Sequence, residues 1–169
     1  MVPEKQSEKD YAELIELLNK HKVDYLIVGA YAVIQHTRIP RDTKDIDFWI
    51  RDTLENAGKC SKVIKEFSGL NISPADLLVK GSIIYLGVEP NRIDFFNAQG
   101  DLNFDISFKN KQAGYFRDKK TFYINIDDLV KAKKYHLSKN DRDLLGKEKD
   151  LKDIKRLEAS KNKSRGFDR

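Results

Sequence analysis

The sequence predicts an α+β fold, a mixed β-sheet flanked by helices with further helices at the C-terminal end. Two observations carry this. Apolar residues recur at helical spacing near both ends of the chain, and short β-type runs lie between them. The resulting order is helix, strand, helix, strand, helices, hairpin, hairpin, helices, which suits a mixed sheet rather than a repeating β–α unit.

Each element has its own signal. Ser7 is the expected N-cap of a helix over residues 8–21, with Tyr11, Leu14, Ile15, Leu17 and Leu18 on its apolar face. Tyr25 to Val28 is a short apolar run ending at Gly29 and reads as a buried strand. Ala30 to His36 forms a short helix, and Thr37 to Lys44, with Pro40 and several charges, forms a loop. Asp45 to Ile50 alternates and reads as a strand. Leu54 to Phe67 suits a helix, and Ser73-Pro74 opens a further helical turn. Ser82 to Val88 and Arg92 to Phe96 flank Glu89-Pro90-Asn91 as a hairpin. Asn103 to Lys109 is ambiguous, with a helical reading available. Tyr115-Phe116 and Thr121 to Ile126 form a second hairpin across Asp118-Lys119-Lys120. Asp127 to Leu137 and Asp141 to Leu157 read as helices with acidic caps.

The 169 residues suffice for one domain, expected over 1–160, with a basic flexible tail over 161–169. No apolar run approaches the roughly 20 residues a bilayer span needs, so no membrane role is expected. Met1 to Asp10 is charged and lacks the apolar core of a signal peptide. The single cysteine, Cys60, excludes an internal disulfide framework and fits a reducing cytoplasm. With one Cys and three scattered histidines, a Cys/His zinc site is not expected. The net charge of +5 is uneven: residues 131–169 hold 14 Lys/Arg against 7 Asp/Glu. That surplus either attracts phosphate-bearing partners or forms a solvated basic helix.

The chemistry points to carboxylates. Residues two apart on a strand share a face, so Asp45 and Asp47 stand together while Ile46 and Phe48 face the core. Arg92 to Phe96 repeats the design, with Asp94 between Ile93 and Phe95. If the two strands are neighbours, three carboxylates converge. Such a group repels itself unless a cation intervenes, and hard oxygen ligands suit Mg²⁺ or Mn²⁺. An Asp-x-Asp by itself usually marks a solvated strand end. Here the neighbours add weight. Gly29 opens a helix whose free N–H groups suit a phosphate, or it only permits a tight turn. Arg38, Arg41 and Lys44 lie just upstream and either meet phosphate oxygens or neutralise the aspartates.

The stretch YLIVGAYAVIQHTRIPRDTKDIDFWI resembles the start of the nucleotidyltransferase superfamily that includes DNA polymerase β, poly(A) polymerases and kanamycin nucleotidyltransferase. Val28-Gly29-Ala30 stands for the apolar strand and Gly-Gly or Gly-Ser, Asp45-Ile46-Asp47-Phe48 for the paired acids, and Asp94 for the third. More narrowly, the chain is similar to bacterial stand-alone nucleotidyltransferases related to the AbiE type II abortive-infection toxins. Ordered matches run from Gly29, Ala32, His36, Arg41, Thr43 and Asp45 through Asp47, Trp49 and Ile50. They continue at Gly87, Pro90 and Arg92 to Asp94, at Asp128, Leu129, Val130 and Lys133, and at Lys149, Asp150, Leu151, Asp153, Ile154 and Leu157. Ala30 departs from the pattern, because it lacks the hydroxyl a serine would offer to phosphate. The spacer from Ala30 to Asp45 is long, and Thr37 and Lys147 replace the Gly and Arg of relatives.

The resemblance implies a polymerase-β-type fold. It implies Asp45, Asp47 and Asp94 as catalytic and Mg²⁺- or Mn²⁺-binding residues, and Gly29, Ala30, Arg41, Thr43 and Lys133 as nucleotide-binding. It further implies transfer of a nucleoside monophosphate from a nucleoside triphosphate (NTP) to a hydroxyl on RNA or tRNA, a protein or a small molecule. A partner protein in a toxin–antitoxin pair is the corresponding expectation. The alternative is a non-catalytic module that grips a protein or RNA. Bland readings remain for single residues. Lys133 also reads as a surface lysine, and Asp150 and Asp153 read as helix-surface or salt-bridge residues. His36 reads as a packing residue. Tyr31 stacks a base or fills a cleft, and Trp49 lines a base pocket or covers the sheet edge.

Overall fold

The computed structural model describes residues 5–139 and 143–167. In chain order the elements are α1 (Gln6–Lys20), β1 (Tyr25–Val28), α2 (Gly29–Thr37), β2 (Asp45–Ile50), α3 (Leu54–Ser68), α4 (Pro74–Leu78) and β3 (Ile83–Leu86). Then follow β4 (Arg92–Phe96), α5 (Phe104–Lys109), β5 (Gln112–Phe116), β6 (Lys119–Tyr123), α6 (Ile126–Lys139) and α7 (Leu144–Phe167). The six strands form one mixed sheet in the order β3-β4-β2-β1-β6-β5.

Local chemistry accounts for most boundaries. Tyr11, Leu14, Ile15 and Leu18 are buried along one face of α1. Thr53 caps α3 by accepting from Asn56 N, and Gly69 closes that helix in the left-handed region, where only glycine is unstrained. Ser73 caps α4 with Pro74 behind it, and Asn103 caps α5 by accepting from Ile106 N, which resolves the ambiguous segment as a helix.

Several expected boundaries are corrected. Ser7 is not the cap of α1; Lys5 occupies that position without a side-chain bond, and Ser7 lies inside the helix, buried. β6 ends at Tyr123 rather than Ile126. Asn125 Oδ1 accepts from Asp128 N at 2.9 Å, so a local side-chain bond starts α6 where a longer strand was expected. The turn of that hairpin falls at Arg117-Asp118, with Arg117 at φ 54°, so Lys119 and Lys120 already belong to β6. The segment expected to be a loose tail continues α7 as far as Phe167. The acidic cap expected at Asp141 lies outside the described residues.

The core lies on and around the central strands. Tyr25, Leu26, Ile27 and Val28 are all buried in β1, and Ile46 and Phe48 are fully buried in β2. Phe48 stacks on Phe95 of the neighbouring strand and meets Tyr25 edge-on. The parallel pairing of β2 with β4 fixes the position of the acids, and α2 packs on β1, β2, α6 and α7. No helix is long and apolar enough to cross a membrane among the described residues.

Candidate active site

Register brings the three predicted carboxylates together. β2 and β4 run parallel, with Asp45 beside Arg92 and Asp47 beside Asp94. One carboxylate oxygen from each of Asp45, Asp47 and Asp94 lies within 4.8 Å of the other two. On the other side of β2, Val28 pairs with Asp47, and α2 begins at the next residue. The first turn of α2 therefore opens beside the acids, presenting the backbone N–H groups that a helix leaves unbonded. Gly29 has φ +68°, and a Cβ built there would lie 2.9 Å from Asp47 Cγ and overlap its Oδ2. Both conformation and space require glycine at this position.

Electrostatics make the trio a strained anionic group. Asp94 is almost completely buried, and Asp45 and Asp47 are half-buried. Burial, and then the Asp94 charge, push Asp45 above the ordinary carboxylate range. Asp47 is pushed well above it, by burial first and then by Asp45 and Asp94. Arg92 is the cation that offsets this charge. Its Nε and one terminal nitrogen donate to Asp94 at 2.7 and 3.0 Å, and the same terminal nitrogen reaches Asp45 Oδ2 at 3.1 Å. Its guanidinium stacks on Tyr85, 4.5 Å from the ring centroid. Asp47 has no ion pair among the described residues. A trio of converging oxygens, two of them driven toward the neutral form by burial and then by mutual repulsion, is a donor set that fits a hard divalent cation.

The acids line a cavity of about 680 Å³. Gly29, Ala30, Arg41, Thr43 and Lys133 line it as well, so the five residues that the resemblance implies for nucleotide binding border the same space as the acids. Three of these already have protein partners. Thr43 Oγ1 donates to the Asp45 carbonyl at 2.9 Å and so fixes the start of β2. Arg41 Nε lies 3.1 Å from Asp153 Oδ1, and Lys133 Nζ lies 3.0 Å from Asp153 Oδ2 and 3.4 Å from Asp150 Oδ1. Asp150 and Asp153 are each 1% exposed. The helix-surface reading of these two is therefore overturned, and their salt-bridge reading stands. They draw α7, α6 and the 38–44 loop together at the rim of the cavity.

Other residues resolve toward packing. Trp49 is 1% exposed and meets Phe104 edge-on, so it neither covers the sheet edge nor lines the cavity of the acids. Tyr31 packs edge-on against Tyr11 and Phe116. His36 Nε2 lies 2.7 Å from the Ile124 carbonyl, and burial lowers its pKa. Arg38 caps α2 in the left-handed region and does not line the cavity. Asp128 is buried and accepts from Ser107 Oγ and Asn125 Nδ2, which ties α5 to α6. The electrostatic part played by Arg92 was not anticipated from the sequence. Its signal was available: Arg92 shares a strand face with Asp94, two residues away.

No family model matches the sequence, and a search of curated proteins found no match. Solved structures do match. An antigenic nucleotidyltransferase-like protein from Paracoccidioides brasiliensis superposes with a TM-score of 0.60 at 14% identity, over 90% of this chain and 75% of that one. The antibiotic-resistance factor ANT(2'')-Ia superposes with a TM-score of 0.55 at 10% identity, over 95% and 91%. The lincosamide antibiotic adenylyltransferase LnuA, in its lincomycin-bound form, superposes with a TM-score of 0.53 at 20% identity, over 90% and 97%. With its six-stranded mixed sheet and this agreement over nine-tenths of its length, the chain has the nucleotidyltransferase fold.

Proposed function

We propose that this protein transfers a nucleoside monophosphate from an NTP to a hydroxyl acceptor. The acceptor oxygen forms a bond to the α-phosphorus while the bond to the bridging oxygen breaks. Pyrophosphate leaves, and the hydroxyl proton passes to an ionised carboxylate of the trio. The observation that carries this reading is the convergence of Asp45, Asp47 and Asp94 beside the first turn of α2. Mg²⁺ or Mn²⁺ held by the three acids would neutralise triphosphate charge and make the acceptor hydroxyl more acidic. The chain's own groups do the positioning. The N–H groups after Gly29 face the phosphates, and Arg41 and Lys133, held by Asp153, add positive charge at the rim. Two of the structural relatives, an antibiotic-resistance factor and an antibiotic adenylyltransferase, support a small hydroxylated acceptor. The ordered sequence blocks support RNA or tRNA and a place in a toxin–antitoxin pair. Incubation of the purified protein with Mg²⁺, labelled NTPs and cell lysate tests the activity. Labelling of an acceptor that disappears in the Asp45→Ala, Asp47→Ala double variant supports the reading; labelling that persists in that variant overturns the mechanism.

A second reading, a module that binds a protein or RNA without turnover, is favoured by two observations. Ala30 has no hydroxyl for a phosphate, and Arg92 already neutralises two of the acids. Calorimetry with Mg²⁺ and ATP separates the two. Binding that is lost in Asp94→Ala supports the enzyme, and no binding of metal or nucleotide supports the module.

A further inference from the structure

A second cavity, of about 300 Å³, adjoins the first and shares Gly29, Asp47, Phe96 and Lys133 with it. Its wall differs from that of its neighbour: Val28, Leu129 and Ala132 are apolar and largely buried. Two residues stand out. Phe96 ends β4 on the same face as Asp94 and lines both cavities. It is half-buried, yet it has no aromatic partner among the described residues and is not part of the packed core. Gln99, three residues on, is 8% exposed and lines the second cavity. Its carboxamide has no hydrogen-bond partner among the described residues and its polar atoms stay accessible at the cavity wall. Its two donors and its acceptor are therefore free for whatever enters.

Resting on the nucleotidyltransferase reading, we infer that this second cavity receives the nucleobase of the NTP and that Gln99 selects the base. The phosphates face the first cavity, where Arg41 and Lys133 stand beside the acids, and in the adjoining cavity Val28, Leu129 and Ala132 make part of the wall apolar, which suits the faces of a base. The free ring of Phe96 offers a surface for stacking at the junction. A carboxamide presents a donor beside an acceptor, a pair that matches the edge of a base. The shared residues Gly29 and Asp47 place the sugar and α-phosphate next to the carboxylates.

The test is calorimetry in Mg²⁺ with non-hydrolysable analogues of ATP, GTP, CTP and UTP, and with inorganic tripolyphosphate, which has no base. It compares wild type with Gln99→Leu and with Gln99→Glu, which keeps the shape of the side chain and removes its NH₂ donors. The wild type is expected to discriminate among the four bases. Gln99→Leu is expected to weaken the preferred nucleotide about tenfold, the order expected for lost hydrogen bonds at an enclosed site, and to leave tripolyphosphate unchanged. Gln99→Glu is expected to change the order of preference. Equal binding of all four nucleotides by wild type overturns the inference. So does an equal loss for tripolyphosphate in Gln99→Leu. Wild type that binds neither tripolyphosphate nor any nucleotide overturns the functional reading with it, whereas discrimination by wild type that survives both substitutions overturns the role of Gln99 alone.

Discussion

Gly29 lies so close to Asp47 that no side chain fits at position 29 while Asp47 keeps its place: a methyl group on Gly29 would lie 2.9 Å from Asp47 Cγ. The helix that opens at Gly29 thus starts as close to the acids as the backbone permits. Gly29→Ala adds a left-handed non-glycine residue to this overlap. The expected cost is about 2–4 kcal/mol of stability in denaturant unfolding, together with weaker nucleotide binding because Asp47 must turn away.

The pH dependence of the metal-free protein follows from Asp45 and Asp47. Both have folded-state pKa values above those of the unfolded chain, through burial and then through the neighbouring carboxylates. The folded protein therefore binds more protons than the unfolded chain between the two values. Their contribution to stability is complete below the unfolded pKa and is lost as pH rises through the folded one. The thermal midpoint without metal is expected to fall as pH rises from the ordinary carboxylate range toward neutrality. Asp47→Asn should flatten that fall and raise the midpoint at neutral pH. In wild type Mg²⁺ should raise the midpoint most at neutral pH, where the acids are ionised.

Arg92 is the built-in counter-charge, so its removal separates the metal-free from the metal-bound state. Arg92→Ala leaves Asp94 buried without its main cation and removes the stack on Tyr85. A loss of about 1–3 kcal/mol is expected without metal, because the arginine is partly exposed and the pair only partly desolvated. Saturating Mg²⁺ should recover much of it. Denaturant melts with and without Mg²⁺ check this, and an equal loss in both conditions contradicts it.

Asp153 holds two cations that face the cavity. Asp153→Ala leaves Arg41 without this partner and Lys133 with Asp150 alone. Destabilisation of about 3–5 kcal/mol is expected for breaking a buried ion pair from one side. The half-saturation constant for NTP should rise, because the 38–44 loop loses its tie to α7.

Much of this arrangement could be read from the chain. Alternation in DIDFWI and RIDFF placed Asp45, Asp47 and Asp94 on one face, because strand periodicity is a local property. Their convergence needed β2 and β4 to pair in parallel, and no residue pattern states which strands are neighbours. Local competition explains the misplaced boundaries: Asn125 starts a helix within a run that otherwise reads as strand. Asp150 and Asp153 read as surface residues because α7 is charged on nearly every side. Their burial depends on Lys133 and Arg41 arriving from distant segments. Gln99 carries no sequence signal, since its free carboxamide is a property of the cavity around it.

The most direct test of the central claim, that three carboxylates act as one site for phosphoryl chemistry, is pyrophosphate release from labelled NTP by Asp45→Asn, Asp47→Asn and Asp94→Asn. Asparagine keeps the shape of each side chain and removes its charge. The account predicts that each single substitution lowers the rate by at least about a hundredfold while the protein remains folded. A wild-type rate in any one of the three would contradict it.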